Sequence, residues 1–138
     1  MPSLTGVIET SLYVDDLDRA SSFYEDLFGL CRIIEGDARI RAYSVGGSSV
    51  LLLFKRGASN AVTDLPFGQI GPHDGSGPLH LAFSIPADEL ADWEARLAEK
   101  KISIEGTIHW PRGGTSLYFR DPDNHLVELA TPGLWSIY

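Results

Sequence analysis

Apolar residues recur along the chain in two kinds of spacing, and the alternation between them marks out the elements. From Val7 the run VIETSLYV alternates as a strand does. At Asp15 and Asp16 it gives way to LDRASSFYEDLFGL, where Leu17, Ala20, Phe23, Tyr24, Leu27 and Phe28 fall on one stripe of a helix. Asp16 offers a side-chain acceptor to the first free amides of that helix. Gly29 can end it in the left-handed conformation that a residue without Cβ adopts at little cost. Three strands are expected next, at residues 31–34, 38–45 and 49–55, the last after a Gly46-Gly47 turn. The first half therefore reads βαβββ.

Residues 57–78 are rich in Gly, Pro, Asn, Ser and Asp and carry no periodic apolar positions, which predicts a long loop or linker. The pattern then restarts. LHLAFSI is a strand, Pro86 and Asp88 open a helix with Leu90, Trp93 and Leu97 on one face, and strands follow at 102–105, 116–120 and 126–130. The order is again βαβββ. The best register of the halves sets Glu9-Thr-Ser-Leu-Tyr-Val14 over His80-Leu-Ala-Phe-Ser-Ile85. Two short modules, each too small to be stable alone, suggest a duplication.

Strand alternation places Glu9, Ser11 and Tyr13 on one face and Thr10, Leu12 and Val14 on the other. By the same count His80, Ala82 and Ser84 lie opposite Leu81, Phe83 and Ile85, and Glu128 lies opposite Val127 and Leu129. Each segment thus has one bulky apolar face for packing. Its other face carries a polar group beside small neighbours, as a hollow requires.

Composition narrows the partners. At 138 residues with 43% hydrophobic and 22% charged residues, the chain has the balance of one globular domain. The longest uninterrupted apolar run, Val50 to Phe54, is far short of the roughly 20 residues of a membrane span. The N-terminal MPSLTGVIETS lacks a basic-then-apolar pattern, so a cytoplasmic location is expected and no membrane partner. A single cysteine, Cys31, permits neither an intramolecular disulfide nor a thiolate metal cluster. A net charge of −8 without a basic stripe argues against nucleic acid.

Glu9, His80 and Glu128 are the candidate metal ligands. Taken singly, each has an ordinary reading as a solvated strand end, an edge histidine or an outward carboxylate. Together they fall on the non-core faces of strands, two of them at equivalent repeat positions, and two nearby carboxylates are costly without a cation between them. One imidazole and two carboxylates around a divalent ion form a neutral cluster with room for water or a bidentate oxygen ligand. Glu128, Tyr118 and His73 are the candidate catalytic groups. Tyr118 would orient a substrate, with core or edge packing as its plain reading, and His73, in GPHDGSGP, would fold over the pocket as a general base or extra ligand, with a surface histidine as its plain reading. Trp110 and Arg112 in HWPRGG offer an aromatic and cationic rim, and His109 and His125 read as solvent-facing.

These residues carry a family resemblance. SLYFRDPDNHLVEL at 116–129 looks like the closing motif of the vicinal-oxygen-chelate superfamily of glyoxalases, extradiol dioxygenases and bleomycin-resistance proteins. LYVDDLDRASSFYEDLFGL at 12–30 resembles its opening motif, and GPLHLAFSIP the start of its second module. The resemblance implies an α+β fold of two βαβββ modules in a curved, partly open barrel around a metal cavity. It covers residues 1–138 as one domain, with module one at about 5–56, a linker at about 57–78 and module two at about 79–132. It also implies metal ligands on the first and last strands of each module. Glu9, His80 and Glu128 match three such positions, and Leu53 stands where a fourth would be. Glyoxalase I of this superfamily has four protein ligands, and its three-ligand dioxygenases and thiol transferases have histidine at the position of Glu9, so the chain departs from both.

The implied function is a metal-dependent enzyme of dioxygenase, lyase or isomerase type acting on a small oxygenated molecule. It would use iron(II), manganese, nickel or zinc, work as a homodimer, and differ from ordinary glyoxalase I. The alternative is a metal-free binder, like the bleomycin-resistance members, that sequesters a cationic or aromatic compound.

Overall fold

The computed structural model describes residues 1–138, which divide into two compact units, Met1–Ser76 and Gly77–Tyr138. In unit 1, strand β1 (Glu9–Val14) leads into helix α1 (Leu17–Phe28), followed by β2 (Arg32–Ile34), β3 (Ile40–Val45) and β4 (Ser49–Lys55). Asp16 caps α1 as its position predicts, its carboxylate accepting from the Asp18 and Arg19 amides at 3.0 Å each. Gly29 ends it at φ 65°, its amide donating to Glu25 O. Leu17, Ala20, Tyr24 and Leu27 are the buried residues of the expected stripe, while Phe23 and Phe28 lie at its half-buried margins.

The sheet of unit 1 has the order β1-β4-β3-β2, with β1 parallel to β4 and the other pairs antiparallel. Alternation assigns the faces. Leu12 and Val14 of β1 and Leu51 and Leu53 of β4 are at most 1% exposed. Burying a leucine contributes about 1.5–3 kcal/mol, so this face, with α1 packed on β3 and β4, anchors the unit. The opposite face carries Glu9, Ser11, Tyr13, Leu52 and Phe54 around a cavity.

Unit 2 repeats the plan. Strand β7 (His80–Ser84) is followed by a 3-10 turn at Ala87–Glu89, helix α2 (Leu90–Glu99), β8 (Gly106–His109), β9 (Thr115–Arg120) and β10 (Leu126–Ala130). Its sheet order β7-β10-β9-β8 matches that of unit 1 position for position, with β7 parallel to β10. Leu97, Leu117, Phe119, Val127 and Leu129 form its buried centre. The protein is thus a mixed α+β fold of two four-stranded sheets, each built in the order βαβββ.

Three expectations are corrected. The second strand of the second module is Gly106–His109 rather than 102–105. Lys101 turns out of α2 at φ 58° and the Ile102 amide returns to Leu97 O, so the segment after α2 is spent on the helix exit before pairing begins. The 57–78 segment is not structureless. It holds a hairpin of β5 (Thr63–Leu65) and β6 (Gly68–Ile70), whose three-residue strands are too short to print a period. His125, expected at the surface, is 0% exposed. Asp121 Oδ1 accepts from the Asp123 and His125 amides, and the imidazole Nδ1 accepts from the Leu79 amide at 2.8 Å, so the ring closes the turn that starts β7.

Candidate functional site

In unit 2 the register Leu126↔His80 and Glu128↔Tyr118 brings His80, Tyr118 and Glu128 together on adjacent strands. His80 Nδ1 lies 2.9 Å from Leu126 O. A carbonyl can only accept, so Nδ1 carries a proton, and the Nε2 lone pair is what the ring can offer a ligand. Nε2 in turn lies 3.3 Å from Glu128 Oε2. A lone pair and a carboxylate oxygen at that distance need a cation or a second proton between them.

The other carboxylate oxygen is tied back. Glu128 Oε1 accepts from Ser116 Oγ at 2.5 Å and from the Tyr118 hydroxyl at 3.1 Å, and Trp110 Nε1 donates to Ser116 Oγ at 2.8 Å. Glu128 and Ser116 are buried, whereas His80 is half exposed. Burial and the Glu128 charge both raise the Tyr118 hydroxyl above its ordinary range, so it keeps its proton and donates. A ligating histidine oriented by a backbone carbonyl, beside a carboxylate oriented by hydroxyls, has the outer support that metal ligands require.

In unit 1, Glu9 opens β1 and lines a cavity of about 510 Å³ together with Ser11, Tyr13, Arg39, Phe54 and His73. The Tyr13 hydroxyl and His73 Nδ1 are 2.8 Å apart. Phe54 stacks on Tyr13 at 5.8 Å between centroids and meets His73 edge-on at 4.6 Å. His73 is fixed by its own amide, which donates to Ser59 O, and by Asp74, whose carboxylate accepts from the Gly57 amide. Burial first, and then the nearby Asp74 charge, raise the Tyr13 hydroxyl.

The candidates therefore separate by unit. His80, Glu128 and Tyr118 meet in unit 2; Glu9 and His73 share the unit 1 cavity. Neither unit alone gathers three His, Cys, Asp or Glu side chains at one point. Trp110 braces Ser116 rather than standing at a rim, and Arg112 lies exposed in its turn. His109 is exposed, with Nδ1 3.2 Å from Thr115 Oγ1.

Leu53 is not the counterpart of a fourth ligand. It pairs with Leu12 on the core face at 0% exposure. Glu128 stands two residues beyond the partner of His80, and two residues beyond the partner of Glu9 stands Leu52, on the cavity face. The chemistry of the position is unchanged, because it is still leucine. Ser116 and Trp110 escaped the sequence reading as supports of Glu128, although Ser116 shares the strand face of Tyr118 and so was within reach of alternation. Arg39 and Phe54 had no such signal.

The family model described as the Glyoxalase/Bleomycin resistance protein/Dioxygenase superfamily matches residues 6–129. The chain belongs to this superfamily. It is 31% identical to the metallothiol transferase FosB of Staphylococcus saprophyticus over 119 residues, 86% of this chain and 71% of the relative. Among solved structures it resembles a lactoylglutathione lyase from Agrobacterium tumefaciens, at 32% identity and a TM-score of 0.87 over 98% of this chain and 99% of that one. The fosfomycin resistance protein FosX of Mesorhizobium loti shares the fold at 22% identity and a TM-score of 0.65, with 96% of each chain covered.

Proposed function

We propose that this superfamily member is a divalent-metal-dependent enzyme acting on a small oxygenated organic molecule, with Glu9, His80 and Glu128 as the metal's protein ligands. The observation that carries the reading is the pair His80 Nε2 and Glu128 Oε2, 3.3 Å apart with the other polar atom of each side chain already committed. The pair fits a metal by the chemistry of its donors, one imidazole lone pair and one braced carboxylate. Glu9, at the start of β1, is the third ligand in this reading. The oxygen-rich donors suit iron(II), manganese, nickel or zinc. A bound divalent ion would supply Lewis acidity to a substrate oxygen.

The protein's own groups have distinct parts in this reading. Ser116 and Tyr118 hold Glu128 in one rotamer, and Tyr118, its one proton donated to Glu128, offers a substrate hydroxyl an oxygen that accepts. His73, its Nδ1 hydrogen-bonded to Tyr13, presents Nε2 to a substrate in the unit 1 cavity. The relatives are named as a transferase and a lyase, which favours group-transfer or lyase chemistry over dioxygenation. A homodimer is part of the proposal: Val7, Ile8 and Phe67 are each more than 60% exposed, apolar side chains that a second copy would cover.

Metal analysis of protein purified without chelator or affinity metal tests the reading. Wild-type protein should carry one divalent ion per chain, and His80→Ala, which removes one of three protein ligands, should lose most of it. Full occupancy in that variant would sink the ligand set. Metal-free wild-type protein would favour the binding-protein alternative.

A further inference from the structure

We propose that the unit 1 cavity is a binding subsite for a small organic oxyanion with a flat apolar body, gripped by the Arg39 guanidinium and by the His73 imidazole that Tyr13 holds as a hydrogen-bond donor. The cavity, at about 510 Å³, is of the size that takes such molecules, about 300–1,000 Å³. Its apolar wall is Ile40, Leu52 and Phe54, with Phe54 and Tyr13 stacked at an interplanar angle of 23°. A flat ring or planar acyl group has a surface to lie on.

Two donors remain for its polar end. Arg39 spends Nε and one terminal nitrogen on the Asp37 carboxylate and reaches Thr63 Oγ1 with the other only at 3.4 Å. A guanidinium has five N–H donors, so two are left for a ligand. When the Tyr13 hydroxyl donates to Nδ1, the proton of the neutral His73 ring sits on Nε2, which becomes a donor. The pair is held in advance of binding. Gly75 lies so close against Tyr13 that a Cβ there would stand 2.4 Å from the ring, while the His73 amide is bound to Ser59 O. Donors that need no reorganisation lose little affinity to ordering.

As a substrate subsite this assignment rests on the metal-enzyme reading, because Glu9 borders the cavity and is also a proposed ligand. Binding itself does not require the metal, and the two are tested apart. The chelator-treated full-length chain is titrated with benzoate and with its neutral analogue benzamide, followed by NMR. Benzoate should shift the signals of Tyr13, Phe54 and His73 and bind about tenfold more tightly than benzamide, as a charge-assisted contact predicts. Arg39→Gln should erase the preference. Tyr13→Phe should weaken benzoate severalfold and change the His73 tautomer, which in wild type should show Nε2 protonated and Nδ1 not. Glu128→Gln, which removes a proposed metal ligand from the other unit, should leave the benzoate preference intact. Equal affinity for the two probes, shifts confined to residues outside the cavity, or His73 protonated on Nδ1 in wild type would overturn the subsite. Loss of the metal reading would show instead as metal-free wild-type protein with the preference preserved.

Discussion

In unit 1 the parallel pair β1 and β4 sets Glu9 beside Val50, with Leu52 two residues further on; in unit 2 the parallel pair β7 and β10 sets His80 beside Leu126, with Glu128 two residues further on. Strand order and register are the same, but the side chains at matching positions are not. Unit 2 holds two candidate ligands and braces one of them with Ser116, Tyr118 and Trp110. Unit 1 holds one carboxylate and puts leucine and phenylalanine around a cavity. A repeated sheet therefore carries different chemistry in its two copies, because the cavity-facing residues at matching positions differ. The core-facing ones, Leu51 and Leu53 of β4 against Val127 and Leu129 of β10, remain apolar and buried in both units.

The largest expected contrast concerns Leu52. With leucine at the position equivalent to Glu128, the proposed metal site has no fourth protein ligand, and the chain should not turn over the methylglyoxal–glutathione adduct efficiently in its nickel, zinc or cobalt forms. The Agrobacterium neighbour is called a lactoylglutathione lyase, so this prediction cuts against carrying that name over. Ordinary turnover in any of the three forms would show that the missing ligand does not matter.

A smaller effect tests the bracing of Glu128. Ser116→Ala removes the 2.5 Å contact to Oε1 and leaves the Trp110 indole N–H without its partner. Losing an outer-shell partner of a metal ligand lowers metal affinity by about 10- to 100-fold. Calorimetric titration of the chelator-treated variant with manganese or zinc should show that drop while near-UV circular dichroism stays native. Unchanged affinity would reduce Ser116 to a packing residue.

Much of the architecture was readable in the sequence, for identifiable reasons. Asp16, Gly29 and the stripe from Leu17 to Leu27 specify α1 through local rules of capping and spacing, and alternation assigned the faces of β1, β7 and β10. Where the reading failed, the deciding partner was distant in sequence. His125 looks like a surface residue until the Leu79 amide, 46 residues away, is seen on its ring. Residues 102–105 have strand composition, but the ladder to β9 begins at Gly106. The slip from Leu53 to Leu52 is a register error of one residue, which in a strand exchanges the faces. The site followed the same rule. Glu128 and Tyr118 pair across one antiparallel ladder, whereas the Tyr13–His73 contact spans 60 residues and belongs to a segment with no period.

The smallest expected effect lies in that segment. Residues 57–76 belong to unit 1, and their contacts include the Gly57 amide to Asp74, the His73 amide to Ser59 O, the Tyr13 hydroxyl to His73 and the Phe54 ring edge-on to His73. Both strands of the β5–β6 hairpin are largely exposed, and Phe67 at its tip is 91% exposed. Little apolar burial holds the hairpin, so it belongs with the parts of a protein that open locally at low cost. Thr63, Leu65 and Ile70 nevertheless line the cavity. A bound molecule would touch the hairpin and raise the cost of opening it. Amide exchange at residues 63–70 should slow when the chain is saturated with benzoate, while exchange in β9 and β10 stays as it was. His73→Ala removes one hydrogen bond of the attachment and one of the proposed ligand donors, a loss of about 1 kcal/mol or roughly fivefold in benzoate affinity. The same substitution should leave metal content unchanged. If exchange across residues 57–78 is the same with and without benzoate, the segment is a permanently ordered border of the cavity and not a gate.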